Sequence, residues 1–347
     1  MRKEVLLAII AGSLLGLVVA FGIWRANIAL SPQNKNSISP TPTPSISPDF
    51  KITLAKPENY QVITQDSTII SGLTQPNSLV VVSAEDSDYV EKSDNEGKIG
   101  INTDLVGGTN QIRVFALNEE GASAQANLLL VYSSEFATSS PSPETDQGST
   151  ASDSIRVKVQ EKLNQVASNP IANLGTITDL TDNTIQIKTL GGEIQLISLD
   201  KENATFIKMT KDVTKEIKFN DIAIGDFIVA MGTKNGNGIL HATRVLITDP
   251  LKETARSAVY GQVVDTGYLK LTLKNPKDGK TYDVEPDSGL KILDLVNLKF
   301  PTTRFSQIEQ GDTIIAVGIQ SQDIFTARTI TLVKNAPTPS PTSTPKE

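Results

Sequence analysis

Apolar residues change their spacing several times along the chain, and each change marks a different kind of element. Residues 5–24 form an almost wholly apolar run without a charged residue. At about 1.5 Å of rise per residue, roughly 20 residues span a hydrocarbon core of about 30 Å, so this run predicts a transmembrane helix. From residue 50 the apolar period falls to two, with strands expected over 51–54, 67–73, 78–83, 98–102, 111–117 and 126–132. Alternation is clearest in Ile112, Val114 and Ala116, and in the β-branched run from Leu79 to Val82. Over 153–168 the apolar positions Ile155, Val159, Leu163 and Val166 fall on one face of a helix, which Asn169-Pro170 ends. From residue 172 to 334 the alternation of strands resumes.

Arg2 and Lys3 precede the apolar run, which favours a cytoplasmic N-terminus of about four residues and an extracytoplasmic bulk. The competing reading is a cleaved signal peptide. Its apolar region is usually only about 7 to 15 residues long and ends in a small-x-small site, which is not evident here. Ala8, Gly12, Gly16 and Ala20 recur every four residues and share one face of the predicted helix. Small residues there let two membrane helices approach closely, making this face a candidate for homo-oligomer formation. Chance spacing of residues common in membrane helices is the other reading.

Three stretches rich in Pro, Ser and Thr interrupt the pattern, at 25–49, 134–152 and 336–347. Such compositions bury no core and favour extended polyproline conformations, so they read as linkers and a tail. They divide the chain into a cytoplasmic tail (1–4), a transmembrane helix (5–24), a first module (50–133), an amphipathic helix (153–169), and two further modules (170–250 and 251–335). The helix is expected to pack on its neighbouring module rather than to bind a partner.

The strands of the first module are punctuated by Gln75-Pro76-Asn77, Asp94-Asn95-Glu96-Gly97, Gly107-Gly108-Thr109-Asn110 and the turn from Asn118 to Gly121. This is the pattern of a β-sandwich. With Pro57, Ile70-Ser71-Gly72, Pro76-Asn77-Ser78, the Gly108-Thr109-Asn110 corner and Val131-Tyr132, the module resembles bacterial Ig-like domains of secreted and surface proteins. That resemblance implies a spacer or binding role. An acidic cluster of Glu85, Asp86, Asp88, Glu91, Asp94 and Glu96 raises calcium as a ligand, since calcium takes several carboxylate oxygens. The spacing matches no EF-hand loop, and a solvated strand edge is the expectation.

The last two modules are copies of one another. Gly175, Gly225-Asp226, Gly232 and Ala242 in the first match Gly261, Gly311-Asp312, Gly318 and Ala327 in the second, about 86 residues apart. Each copy is expected to hold five or six strands, a count that fits a small closed barrel of the OB type. The copies also resemble a bacterial OB-like domain of unknown function found in exported and membrane-bound proteins. Asp226 and Asp312 read as turn formers that bond the backbone. Tyr260, Tyr268 and Tyr282 read as cross-strand packing residues, and His241, matched to Thr326, as an incidental strand residue.

Composition then narrows function. The chain has no cysteine and one histidine, which removes disulfides, thiol nucleophiles, Cys-ligated zinc and His–His metal pairs. No phosphate-binding loop is present, so no enzyme and no cofactor is expected. A net charge of −7 and aromatic content of 5% disfavour nucleic acid, which needs clustered cations and stacking platforms. The expectation is an all-β protein of an Ig-like sandwich and two tandem OB-like barrels, held at the cell membrane by one N-terminal helix and carrying one short amphipathic helix. Its partners would be the lipid bilayer, through the helix, and an envelope glycan or protein. An accessory subunit of an envelope or secretion assembly is the second reading.

Overall fold

The computed structural model describes residues 50–136, 170–210, 214–296 and 304–336. Both expected helices, over 5–24 and 153–169, lie outside the described residues, as does the face of Ala8, Gly12, Gly16 and Ala20. Among the described residues no helix is long and apolar enough to cross a membrane. The described chain is nearly all β, with three short 3-10 turns, and belongs to one compact unit, 50–347.

The first module stacks two sheets. β1 (Thr53–Lys56), β3 (Ser67–Leu73) and β6 (Lys98–Asp104) form one; β2 (Val62–Ile63), β8 (Ser123–Tyr132), β7 (Gly108–Leu117), β4 (Leu79–Ser83) and β5 (Asp88–Lys92) form the other, in that order. Alternate residues point to opposite faces of a strand. Val80, Val82, Ile112, Val114, Leu128 and Leu130 therefore meet Ile70, Ile99 and Ile101 of the smaller sheet in one core. β2 and β5 were not anticipated from the sequence. β2 is only two residues long, and the charges of β5 hide its single fully apolar position, Val90.

The first repeat copy contains β9 (Ile171–Leu180), β10 (Thr184–Thr189), β11 (Ile194–Leu199), β12 (Thr205–Met209), β13 (Thr214–Ile217), β14 (Phe227–Lys234) and β15 (Leu240–Thr248). The order β11-β10-β9-β14-β15 closes on itself through a parallel β11–β15 pairing. The second copy is a closed barrel, β16-β17-β18-β20-β19, made of β16 (Arg256–Gly267), β17 (Lys270–Lys274), β18 (Thr281–Asp294), β19 (Thr313–Ser321) and β20 (Ile324–Lys334). Among the described residues the first copy thus has seven strands and the second five. β18 runs parallel to β20 in two stretches, Asp283–Pro286 and Lys291–Asp294, separated by an irregularity. In the first copy the same two stretches are separate strands, β11 and β12, both parallel to β15.

Repeated glycines sit where backbones nearly touch. A Cβ on Gly232 would lie 1.9 Å from the His241 carbonyl oxygen, and one on Gly318 would lie 2.0 Å from that of Thr326. Both mark a register shift in the hairpin, between Met231 and Gly232 and between Val317 and Gly318. Gly225 and Gly311, with φ of 98° and 100°, make the Gly-Asp turns. The carboxylates act there as read from the sequence: Asp226 accepts from the Ala223 amide at 2.9 Å, and Asp312 from the Glu309 amide at 2.8 Å. Asp312 is also buried and accepts from the Ala336 amide at 2.8 Å. Asp312→Ala should therefore cost about 2 kcal/mol, because it removes a buried acceptor from two part-buried hydrogen bonds, and Asp226→Ala, at a half-buried carboxylate holding one exposed bond, about 1 kcal/mol or less. Urea unfolding of the two variants checks the order; equal losses would contradict it.

Candidate functional site

The five-stranded sheet of the sandwich has no free face. Its outer residues Val62, Leu129 and Val131 pack on Leu174, Phe227, Val229 and Met231 of the first barrel. Further along the sheet, Leu79, Val81, Val90, Phe115 and Leu117 pack on Tyr260, Ile315 and Val317 of the second. The wall strands β14 and β19 are consequently buried on both sides. Ile228 and Ala230 fill one barrel interior, Ile314 and Ala316 the other, while their alternate neighbours serve the interface.

Backbone and polar contacts reinforce these seams. Gln61 bridges Ile171, the Val62 amide donates to Pro170 O at 2.9 Å, and the Ala172 amide donates to Tyr60 O at 2.8 Å, so the start of β9 is pinned to the sandwich. Asn275 Nδ2 donates to Gly121 O at 3.2 Å, tying the β7–β8 hairpin to the second barrel. Arg113 Nη1 donates to Arg256 O at 2.9 Å, and Gln111 Nε2 to Lys252 O at 2.9 Å, holding the connector between the barrels along β7.

The acidic turn between β4 and β5 is gripped by two arginines of the second barrel. Arg328 Nε and Nη2 donate to the Asp88 carboxylate at 2.9 and 2.6 Å, and Thr329 Oγ1 donates to it at 2.7 Å. Arg328 also donates to the Ala84 carbonyl at 2.6 Å and the Glu85 carbonyl at 2.8 Å. Arg256, only 6% exposed, pairs with Glu85 at 3.3 Å and donates to Gln111 O. Burial lowers the Arg256 guanidinium pKa below its ordinary value, and the adjacent Glu85 opposes that shift.

These contacts revise the reading of the acidic cluster. The Asp88 side chain is 0% exposed and neutralised by Arg328, so it belongs to no solvated edge. Asp86, Glu91, Asp94 and Glu96 are exposed. The Asp94 carboxylate accepts from the Glu96 and Lys98 amides, each at 2.8 Å, and these hydrogen bonds, with Lys98 first, lower its pKa. Among the described residues no three His, Asp or Glu side chains come together as a metal site.

The tyrosines diverge from their expected common role. Tyr260 is buried in the seam with the sandwich, and Tyr282 packs on the barrel core with Lys280 Nζ 4.9 Å from its ring centroid. Tyr268 is 94% exposed at the β16–β17 hairpin, beside Leu269 at a φ of 53°, and packs across no strand. His241 is an exposed residue of β15 paired opposite Thr233, as Thr326 is opposite Ile319 in the other copy. Arg113, Arg256 and Arg328 were not singled out in the sequence. A usable signal was present for one of them: Arg328 stands where the first copy has Thr243, next to the matched Ala242 and Ala327.

Concave regions adjoin the sandwich. A mostly polar cleft of about 530 Å3 runs past Gln61, Ser67, Ile69, Asn102 and Pro170. A more apolar groove of about 430 Å3 lies between β5 and β18, lined by Tyr89, Val90, Glu91, Asp104, Leu293 and Leu295 among others. Tyr89 donates to the Asp104 carboxylate at 2.9 Å, and burial raises the pKa of its phenol.

No family model matches the sequence, and no curated protein matches it. Among solved structures, the chain is similar to a tetra-tandem repeat in the extending region of a large adhesion protein, at 11% identity over 83% of this chain and 74% of that one, with a TM-score of 0.21. It is similar at 13% identity to a Ca2+-stabilized adhesin that helps an Antarctic bacterium reach out and bind ice, over 82% and 73%, with a TM-score of 0.16. A 1.5-MDa bacterial ice-binding adhesin aligns at 13% identity over 83% and 96%, with a TM-score of 0.18.

Proposed function

We propose that the chain is a membrane-anchored, extracytoplasmic scaffold whose Ig-like sandwich and two OB-like barrels present binding surfaces to envelope proteins or glycans. One observation carries this reading: the three modules share two apolar seams and a buried arginine clamp instead of hanging as separate beads. Fixed seams hold surfaces on different modules at set distances, which is what presentation requires and what loosely linked domains lack. The OB-like assignment is supported by the barrel order β16-β17-β18-β20-β19, a five-stranded closure. The apolar run at 5–24 supports the anchor, and the Pro-rich stretch at 25–49 supports a stalk. The reading includes no catalytic step.

Exposed apolar side chains on the barrels supply candidate contacts. Ile194 and Leu196 lie on the same face of β11, with Leu190 in the adjoining turn, and they are 56%, 45% and 52% exposed. In the second copy Tyr268 and Leu269 stand out at a hairpin tip. Purified chain immobilised and challenged with wall glycan and membrane-protein fractions should retain one of them, and Ile194→Ser with Leu196→Ser, or Tyr268→Ser, should cut that retention at least fivefold. Retention unaffected by either change would remove these surfaces from the reading. Copurification of a fixed set of membrane proteins at constant stoichiometry would favour the assembly-subunit alternative.

A further inference from the structure

On the outer face of the five-stranded sheet, Leu129 belongs to the seam with the first barrel and Phe115 to the seam with the second. A small pocket lies between them. Opposed residues of an antiparallel pair share a face, and so do residues two apart along a strand. Gln111 lies opposite Leu129, and Arg113 opposite Asn127. Ile112, Val114 and Leu128 turn into the sandwich core, so Gln111, Arg113 and Asn127 belong to the outer face. They floor a pocket of about 190 Å3 whose walls are Asn59 and Tyr60, ahead of β2, and Glu253 and Thr254 of the connector between the barrels. No lining residue adjoins an undescribed one.

Tyr60 holds a left-handed backbone, with φ of 66°, which a bulky side chain rarely adopts. Hydrogen bonds on both sides fix it there. Its amide donates to Leu129 O at 2.7 Å, and its carbonyl accepts from the Ala172 amide at 2.8 Å. Asn59 Oδ1 accepts from the Leu129 amide at 2.8 Å, so the whole turn is fastened to β8. Asparagine or glycine would take this conformation at lower cost, so the turn itself does not call for a tyrosine that is 39% exposed. Backbone strain of this kind persists where the surroundings over-determine it, and it collects at ligand clamps.

The pocket mixes donors and acceptors without net charge. Arg113 and Glu253, the cation and the anion of its lining, pair at 3.3 Å. Gln111 Nε2 is spent on Lys252 O and Asn59 Oδ1 on the Leu129 amide, which leaves Gln111 Oε1 as an acceptor and Asn59 Nδ2 as a donor. Among the described residues neither of these atoms, nor the Asn127 side-chain amide, nor the Thr254 hydroxyl, has a hydrogen-bond partner. We infer that this pocket binds one uncharged sugar ring of a glycan. Each sugar hydroxyl both donates and accepts, as the planar amides facing it do, and the C–H face of the ring packs on an aromatic side chain, whose own face is negative. The volume is below the roughly 300–1,000 Å3 of pockets for drug-sized ligands, and suits a single ring. A charged ligand would find its opposite charge already paired. The floor belongs to the sandwich and one wall to the connector, so the pocket exists only in the docked arrangement of the modules. The inference deepens the scaffold reading, on which it rests for the envelope source of the glycan.

The test uses the purified full-length chain, in a detergent without a sugar headgroup, and the methyl glycosides of glucose, galactose, mannose and N-acetylglucosamine, read by saturation-transfer NMR. At least one glycoside should receive saturation and titrate to a plateau. Asn127→Ala should weaken its binding about fivefold at an unchanged melting temperature, since the amide holds nothing else in place. Tyr60→Asn, which suits the left-handed turn and removes the ring, should weaken binding about fivefold with a melting temperature equal to or above the parent's. Tyr60→Phe should bind as the parent does. Absence of transfer to all four glycosides would overturn the inference, as would binding indifferent to both Asn127→Ala and Tyr60→Asn. Tighter binding of methyl glucuronide than of any neutral glycoside, abolished by Arg113→Gln, would overturn it in favour of an anion site. The sugar signal reads the pocket alone and retention of envelope fractions reads the scaffold, so either can fail while the other stands.

Discussion

Replacing Asp88 by alanine should destabilise the protein by about 3 kcal/mol, and replacing Arg328 by alanine by up to about 5 kcal/mol. The asymmetry follows from what each change leaves behind. Without Asp88, the Arg328 guanidinium is still 25% exposed and keeps its bonds to the Ala84 and Glu85 carbonyls. Without Arg328, a carboxylate that is 0% exposed loses its hydrogen-bonded counter-ion and keeps the Thr329 hydroxyl and the more distant charge of Arg256. Breaking a buried pair costs far more than the pair contributes, because the remaining charge stays in a low dielectric. Asp88→Leu combined with Arg328→Met should therefore recover most of the loss. Urea denaturation of the four proteins measures this. Single-variant losses below about 1 kcal/mol would mean the clamp is solvated and the seam is held by apolar contact alone.

The second large effect concerns the matched glycines. Gly318→Ala should destabilise by about 3 kcal/mol, with Gly232→Ala close behind, at or above the upper end of ordinary overpacking. The obstacle at each is a backbone carbonyl of the partner strand, 2.0 and 1.9 Å from the new Cβ, and no side-chain rotation relieves it. Gly100→Ala is the control, since its nearest neighbour is the Ile69 side chain at 3.9 Å. A thermal melt that places all three within a degree of the parent would show that the hairpins relax freely. The experiment also bears on the repeat itself: equal losses in the two barrels mean that one bulge geometry is required in both copies.

Local signals were strong wherever a single residue type answers a local geometric demand. The repeat was legible because the close approaches at Gly232 and Gly318 and the turns at Gly225-Asp226 and Gly311-Asp312 admit few substitutes. The long sandwich strands were legible because Ile112 and Val114 alternate with more polar neighbours at one end of β7. β5 was not, since Asp88 and Glu91 look like solvent-facing charge until Arg328 is placed opposite Asp88 from 240 residues away. The splitting of β18's counterpart into β11 and β12 was equally hidden, because both strands pair with β15 and neither pairs with its sequence neighbour across the break.

By itself, the order of residues determined the class of structure: an apolar N-terminal run, β modules separated by Pro-rich stretches, and one module used twice. It did so through period, turn chemistry and glycine placement, which act over a few residues. What covers each sheet face was decided only in three dimensions. Leu79–Ser83, Phe227–Met231 and Ile314–Val317 all read as continuous apolar strands, a pattern that announces burial on both sides without naming the partner. The tertiary structure matches them to one another, β4 against β19 and the β8 face against β14, because apolar burial is non-directional and every such strand can cover any other. Directional groups then select the pairing: Arg256 and Arg328 find Glu85 and Asp88 in one arrangement of the modules.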